Sequence, residues 1–406
     1  VPFSARTGFF FTASAPGPAK EWYELNGNDF KSNVSTWTNT GTAAATDAVV
    51  NISSCGYNRN VTNTANATAT HRGACLGSND KIYIAPFNYL TNIISTIIVC
   101  DTTTDTLSNI DVSSELTATQ PYLSPGVLAP NGKIYWSPCN YSKVMILDTA
   151  DDSVTFQDWG VSDLSSGSAK YASAVLGPDD KIYAWGGSKA NCLVIDPAAN
   201  TAYTDNFGGT LPSTTTNGRI GASRHPDNDT VVFGPYQNAS YGIIDTASNT
   251  AYSTSAGTTI LSQSCQGLAA MGSGNVMYAP HNNESDIIEL DDGNVATQAN
   301  VGFSASPKFL ASYPGPDGNT WLEQGFTSTS NAISYYDGSS VTKLSANGWT
   351  SGDGAWSGAV APNGYLYVFS NSKPIMQKAN LQGTAYTGDQ ALWAKFCYSS
   401  WMNSRK

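Results

Sequence analysis

The chain has 406 residues, 40% of them hydrophobic and only 13% charged, and its 20 Lys and Arg face 31 Asp and Glu for a net charge of −11. An acidic surface repels phosphate backbones, so nucleic acid is a poor partner. No apolar run nears the ~20 residues that span a bilayer, so membrane insertion is not expected either. The N-terminus shows no basic segment followed by an apolar one, which leaves export open because a signal can already have been removed. The 37 Gly and 19 Pro, with abundant Ser, Thr and Asn, disfavour long helices and point to an all-β protein with the low-charge surface common outside cells.

In chain order, residues 1–70 form an N-terminal extension that does not match the repeat following it. Pro16 to Lys20 reads as a linker before Glu21-Trp-Tyr-Glu-Leu25, and residues 33–70, rich in Asn, Thr and Ala, read as exposed loop or irregular strand. The opening Phe3-Ser-Ala-Arg-Thr-Gly-Phe-Phe10 resembles the N-termini of structural and tail proteins of marine tailed phages. That resemblance implies a place on a virus particle, with residues 1–70 holding other structural proteins of the assembly.

From residue 71 the chain repeats itself. Gly126-Val-Leu-Ala-Pro-Asn-Gly-Lys-Ile-Tyr135 is followed by Val144-Met-Ile-Leu-Asp148, and Ala174 to Tyr183 with Leu193 to Asp196 restates it. Ala74 to Tyr83 with Ile97 to Asp101 is an earlier copy, and weaker ones anchor on Phe233, Tyr278, Trp321 and Tyr367. Each copy predicts four short antiparallel strands, the first two joined by a tight Pro-Asn-Gly-type turn. Four-stranded units repeating every 40–50 residues or so are the pattern of a β-propeller. Small residues at Gly126, Ala174, Gly221-Ala222, Gly267, Ala311 and Gly358-Ala359 suit strands crowded around a central axis.

The predicted fold is therefore a seven-bladed β-propeller over residues 71–385, with a short aromatic C-terminal segment at 386–406 that packs on the ring or docks a neighbouring subunit. An open ring would leave unpaired sheet edges, so a strand from residues 1–70 is expected to complete the last blade. The repeat resembles kelch-like and YVTN-like propeller repeats. Gly315-Pro-Asp-Gly-Asn-Thr-Trp-Leu322 also resembles the repeat of streptogramin-lyase-type propellers. These resemblances imply a fold and not an activity.

Seven cysteines stand at 55, 75, 100, 139, 192, 265 and 397, several inside apolar strands, and are expected to be mostly unpaired. A Cys55–Cys75 bridge is the first pairing to check. The aspartates that end the third strands (Asp101, Asp148, Asp196, Asp245, Asp291 and Asp337) lie a blade apart and cannot share an ion, so they read as turn caps, and no metal or other cofactor is expected.

His225 is placed in a first hairpin turn, His281 after a second strand and His71 just before the ring. None of them sits in a catalytic motif, although Glu284, Glu289 and Glu323 lie within reach of a His–Glu pairing of the lyase type. No catalytic residue is assigned and no enzyme is expected.

The loops between second and third strands carry the candidate binding residues Phe87, Asn88, Tyr89, Asn140, Tyr141, Tyr236, Asn238, His281 and Asn282. On one face they would form an arc of rings and amides suited to stacking on sugars and bonding their hydroxyls, although Pro and Asn also make ordinary loops. Asn-x-Ser/Thr occurs at Asn33, Asn51, Asn60, Asn66, Asn140, Asn228, Asn238 and Asn283, about as often as chance predicts in so Asn- and Thr-rich a chain. The expected role is an extracellular, virion-surface or tail-associated binding and assembly module that presents the ring to host glycans. The alternatives are a secreted adhesive glycoprotein and a propeller lyase or hydrolase.

Overall fold

The computed structural model describes residues 45–48, 50–51, 71–86, 95–116, 125–165, 167, 170–209, 221–225, 228–234, 240–255, 265–270, 276–280, 286–291, 293, 296–300, 309–314, 319–324, 333–347, 355–361, 363–370 and 375–381. Two short strands come first, Ala45–Ala48 (β1) and Val50–Asn51 (β2). The first sheet is His71–Leu76 (β3), Lys81–Pro86 (β4), Thr96–Asp101 (β5) and Thr106–Asp111 (β6). The next is Val127–Leu128 (β7), Lys133–Trp136 (β8), Val144–Asp148 (β9) and Ser153–Gln157 (β10), followed by one helical turn, Ser162–Ser165 (α1). Then come Ser173–Leu176 (β11), Ile182–Trp185 (β12), Cys192–Asp196 (β13) and Thr201–Asp205 (β14). The following sheet is Ala222–Arg224 (β15), Thr230–Phe233 (β16), Ser240–Asp245 (β17) and Thr250–Ser255 (β18).

Cys265–Ala270 (β19), Val276–Pro280 (β20), Asp286–Leu290 (β21) and Ala296–Asn300 (β22) pair in the same order. Phe309–Pro314 (β23), Thr320–Gln324 (β24), Ile333–Tyr336 (β25) and Val341–Lys343 (β26) do likewise, and Ser345–Asn347 (β27) pairs with β1. The last sheet holds Ala355–Val360 (β28), Tyr365–Ser370 (β29) and Ile375–Asn380 (β30). Its fourth strand is β2, with Val50 opposite Met376 and Asn51 opposite Ile375. The expected closing strand thus comes from the extension and is only two residues long.

The innermost strand of each sheet lies beside that of the next, and β28 returns to lie beside β3. The protein is an all-β propeller. Its middle strands are buried on both faces between neighbouring sheets, which is why Val144–Leu147 and Cys192–Ile195 are unbroken apolar runs. The fourth strands β10 and β14 alternate between exposed and half-buried residues, as outer edges facing water must. Apolar clusters bridge the seams: Tyr135, Val144 and Ile146 pack with Ala174, Leu176 and Ile182, and each such buried side chain contributes about 1.5–3 kcal/mol.

The small residues near the axis are sterically required. A Cβ on Gly126 would lie 2.7 Å from both Cβ of Cys75 and the Trp136 ring, whose Nε1 donates across the seam to the Gly73 carbonyl at 2.8 Å.

Several expectations change. His71 is the first residue of β3, inside the ring and not before it, because its side chain is buried against the third strand of its own sheet. Cys75, Cys100, Cys139 and Cys192 are buried, each filling apolar space, and the expected Cys55–Cys75 pairing involves a residue outside those described. Cys55, Cys397, the Phe3–Phe10 stretch and residues 386–406 lie outside the described residues, and Cys265 is described by its backbone alone.

Candidate functional site

Antiparallel order sends the loops after second and fourth strands to one face of the ring and the hairpin turns after first and third strands to the other. The predicted binding arc belongs to loops after second strands. Of its residues only Asn140 and Tyr141 are described; Phe87, Asn88, Tyr89, Tyr236, Asn238, His281 and Asn282 lie outside.

Asn140 is exposed at the loop tip, but Tyr141 is only 8% exposed. Its ring meets Phe156 edge-on at 5.8 Å, and its hydroxyl donates to Glu115 Oε2 at 3.3 Å, an oxygen that also holds Lys143 Nζ at 3.2 Å. Burial, then the Glu115 charge, pushes the Tyr141 hydroxyl up to about 12. Tyr141 therefore ties this loop to the segment following the previous sheet and offers no open face for stacking.

Beside it lies a polar group that sequence reading missed. Lys189 pairs with Asp163 at 3.2 Å, Asn191 Nδ2 donates to the other Asp163 oxygen at 3.5 Å, and buried Lys170 donates from Nζ to the Gly167 carbonyl at 3.0 Å. These groups and Asn140 carry both donors and acceptors, the chemistry that bonds hydroxyls or amides.

Among the glycosylation candidates, Asn228 is half-buried and its Oδ1 accepts from the Thr230 backbone N–H at 3.0 Å. Asn51 is described by its backbone alone, and Asn33, Asn60, Asn66, Asn238 and Asn283 lie outside the described residues.

On the turn face the repeat encodes a latch between blades. Asn79 Nδ2 donates to Tyr83 Oη at 2.8 Å and to the Thr149 carbonyl of the next sheet at 2.6 Å. Tyr83 Oη donates to Asp152 of that sheet, which Lys81 Nζ also reaches at 2.8 Å.

The seam that closes the ring repeats the arrangement. Asn363 Nδ2 donates to Tyr367 Oη and to the Thr102 carbonyl, both at 2.7 Å, while Tyr367 Oη donates to Asp105 at 2.8 Å and Lys378 Nζ lies 2.7 Å from it. Asn131 makes the same pair of bonds to Tyr135 Oη and the Pro197 carbonyl, at 2.9 and 3.2 Å. Asp105 and Asp152 sit at φ 55° and 61°, a left-handed position that Asp tolerates and Gly or Asn would also fill.

The third-strand aspartates are turn caps, as expected. Asp101 Oδ1 accepts the backbone N–H groups of Thr103 and Thr104, Asp196 those of Ala198 and Ala199, and Asp245 those of Ala247 and Ser248. Burial pushes Asp337 up, but bonds from Ser339 and Ser340 outweigh it and hold the carboxyl at about 2. Among the described residues no group of His, Cys, Asp and Glu is arranged to hold a metal ion.

Both described histidines serve the frame. His71 Nε2 donates to the Thr96 carbonyl at 2.9 Å, and burial holds the ring neutral down to about 4. His225 Nε2 donates to the Asp291 carbonyl of the next sheet at 2.7 Å. Here the repeat has changed in two places at once. The latch tyrosine is Val232, and the small residue beneath it, Gly77, Ala129, Gly177 or Ala361 elsewhere, is His225. A Cβ on Gly177 would sit 2.5 Å from the Tyr183 ring, and the bulkier histidine stands in the sheet where Val232 replaces the tyrosine.

No protein-family model matches the chain, and no curated protein matches it. Among solved structures it is similar to a streptogramin B lyase at 13% identity and TM-score 0.60, over 84% of this chain and 100% of that one. It is also similar to virginiamycin B lyase from Staphylococcus aureus, at 10% identity and TM-score 0.57 over 82% of this chain and 98% of that one. A chain of the mitotic checkpoint complex matches at 12% identity and TM-score 0.58, over 95% of this chain and 100% of its own length. Identities this low carry the propeller fold and no activity.

Proposed function

We propose that the chain is a non-enzymatic scaffold, a ring of seven blades that works outside cells, displays its loop face to a hydroxyl-rich ligand such as a surface glycan, and joins a larger assembly through residues 1–70. The observation that carries this reading is where the polar chemistry goes. On the turn face the phenols, amides and carboxylates of Asn79, Tyr83 and Asp152, and of Asn363, Tyr367 and Asp105, are spent on holding blades together. The exposed Asn140 and the Lys189–Asp163–Asn191 group stand on the loop face. Aromatic residues at or next to the latch position in every copy, at 83, 135, 183, 233, 278, 321 and 367, support the blade count. The Phe3–Phe10 resemblance supports a particle-borne version.

The test is binding of the full chain to a glycan array, repeated with Asn140→Ala and Asp163→Ala. Binding that weakens in both variants supports the loop face, and binding unchanged in both removes it from the proposal. Co-purification with particle components separates the virion version from a secreted adhesive protein.

The likeness to the lyases favours a second reading, a propeller lyase. A related virginiamycin B lyase structure contains quinupristin, so conversion of that compound by this chain, followed by chromatography, would establish the second reading in place of the first.

A further inference from the structure

The seam between the β11–β14 and β15–β18 sheets departs from its neighbours in a way that points to a ligand. In other sheets the last residue of the first strand before the turn is apolar and buried: Leu76 opposite Ile82, Leu128 opposite Ile134, Leu176 opposite Ile182 and Val360 opposite Leu366. In the β15–β18 sheet that position is Arg224, opposite Val231 and 0% exposed. Its same-strand neighbour two residues earlier, Ala222, packs with Tyr183, Trp185 and Val194 of the preceding sheet, so this face of β15 looks into the seam. None of the guanidinium nitrogens Nε, Nη1 and Nη2 has a hydrogen-bond partner.

The usual latch is missing there as well. Asp179 stands where Asn79, Asn131 and Asn363 stand elsewhere, and Tyr183 Oη donates to it at 2.9 Å within its own turn, not across the seam. Lys181 pairs with the same carboxylate at 2.9 Å. Further along, Ser173 Oγ and Trp185 Nε1 are also buried without partners, although the Trp185 ring packs edge-on against Phe233 of the next sheet at 5.4 Å. Asp179 and Asp229 act on Arg224 only at a distance, and neither bonds it.

A buried charge without a partner costs several kcal/mol, and a guanidinium, which does not shed its proton in proteins, cannot escape that cost by neutralising. Five N–H donors in a planar fork match the oxygens of a carboxylate or phosphate group. We propose that this seam is an oxyanion-binding site in which Arg224 holds a carboxylate or phosphate group between the two sheets. This site is independent of the loop-face reading, since it lies toward the turn face and uses none of those residues.

The experiment titrates the full-length protein with phosphate, sulfate and acetate at constant ionic strength, by calorimetry and by the thermal unfolding midpoint. The wild type should bind at one saturable site and unfold at a higher temperature as the anion rises. Acetate compared with phosphate shows which source the site takes. Arg224→Leu, which restores the repeat's own residue, should fold, and its affinity should fall about tenfold or more with the midpoint no longer responding. Equal responses from wild type and Arg224→Leu would overturn the proposal. So would a wild type that binds none of the three anions, a result that needs no variant to fold. Destabilisation by Asp229→Asn in a wild type that ignores anions would point to an internal ion pair and overturn it too.

Discussion

The seam between the β3–β6 and β7–β10 sheets and the seam between the β11–β14 and β15–β18 sheets are built from the same repeat to different ends. In the first, one turn supplies an amide, a phenol and an ammonium, and the next sheet supplies a carbonyl and the Asp152 carboxylate to receive them. In the second, the phenol and ammonium turn back onto Asp179 of their own turn, and an unpartnered arginine enters from the other side. A ring stays closed if most of its seams are locked, so one seam can depart from the pattern. The departure takes few substitutions: Asp for Asn at 179 and Arg for Leu at 224.

The sharpest way to break the contrast is to remove the two tyrosines. Tyr83→Ala empties a buried, two-sheet contact and should cost about 3–5 kcal/mol, measured as a lowered urea midpoint. The gentler pair Tyr83→Phe and Tyr183→Phe separates bonding from packing. Tyr83→Phe takes a charge-assisted bond from Asp152 and should cost about 1.5–3 kcal/mol. Tyr183→Phe should cost less, because it loses one bond within its own turn, whereas Tyr83→Phe loses bonds to both Asn79 and Asp152. Equal losses in the two Phe variants would mean that reaching across a seam adds nothing.

Next in size is the pH response of the closing seam's own sheet. His71 is neutral when folded, with its ordinary value of 6.5 lowered to about 4 by burial, against the opposing bond to Thr96. The unfolded chain therefore binds the extra proton first. Stability is full above pH 6.5, falls as pH drops from 6.5 toward 4, and levels off below, a loss on the order of 3 kcal/mol. Between pH 6.5 and 5 the carboxylates contribute little, so His71→Gln should flatten the urea midpoint across that window. An unchanged slope would mean that the imidazole is not neutral in the folded ring.

How much of this was legible in the sequence depends on whether the information was local. The Lys-Ile-Tyr repeat marks the strands because a core position must recur in every blade, and the Asp-to-turn spacing marks the caps because a carboxylate reaches only two or three residues ahead. The closing strand was foreseen in kind but not in place, since Val50–Asn51 is too short to show any alternation. Tyr141 looked like an open ring because its partner Glu115 is 26 residues away, on the previous sheet's exit segment. Arg224 is not legible in the repeat, because a repeat marks the residues that recur and this one is informative through breaking the recurrence.

A third comparison uses the glycine under the latch. Gly177→Ala places a Cβ 2.5 Å from the Tyr183 ring, and relieving that contact should cost about 1–3 kcal/mol in the thermal midpoint. In the β15–β18 sheet the same position already carries His225 over Val232, and His225→Ala should cost about 1–2 kcal/mol by losing its bond to the Asp291 carbonyl. Restoring the small residue should therefore weaken one seam while adding bulk weakens the other. If His225→Ala is stabilising, the exchange of phenol for imidazole is not a working latch.

The smallest effect belongs to the lysines that accompany the latches. Lys378 Nζ lies 2.7 Å from Asp105 and 4.5 Å over the Tyr365 ring, but Asp105 is half exposed, with 49% of its side chain accessible. Burial raises the Asp105 carboxyl, and the bonds from Lys378 and Tyr367 more than reverse that. In Lys378→Met the apolar stem is kept and Tyr367 still bonds the carboxylate, so the loss should be about 1 kcal/mol or less, shrinking further in 0.5 M salt as the pair is screened. The double variant Lys378→Met with Tyr367→Phe then decides what the carboxylate is for. A loss well beyond the sum of the two single variants means that the lysine and the phenol share one function at Asp105, and a simple sum means that the lysine is a surface charge that happens to lie nearby.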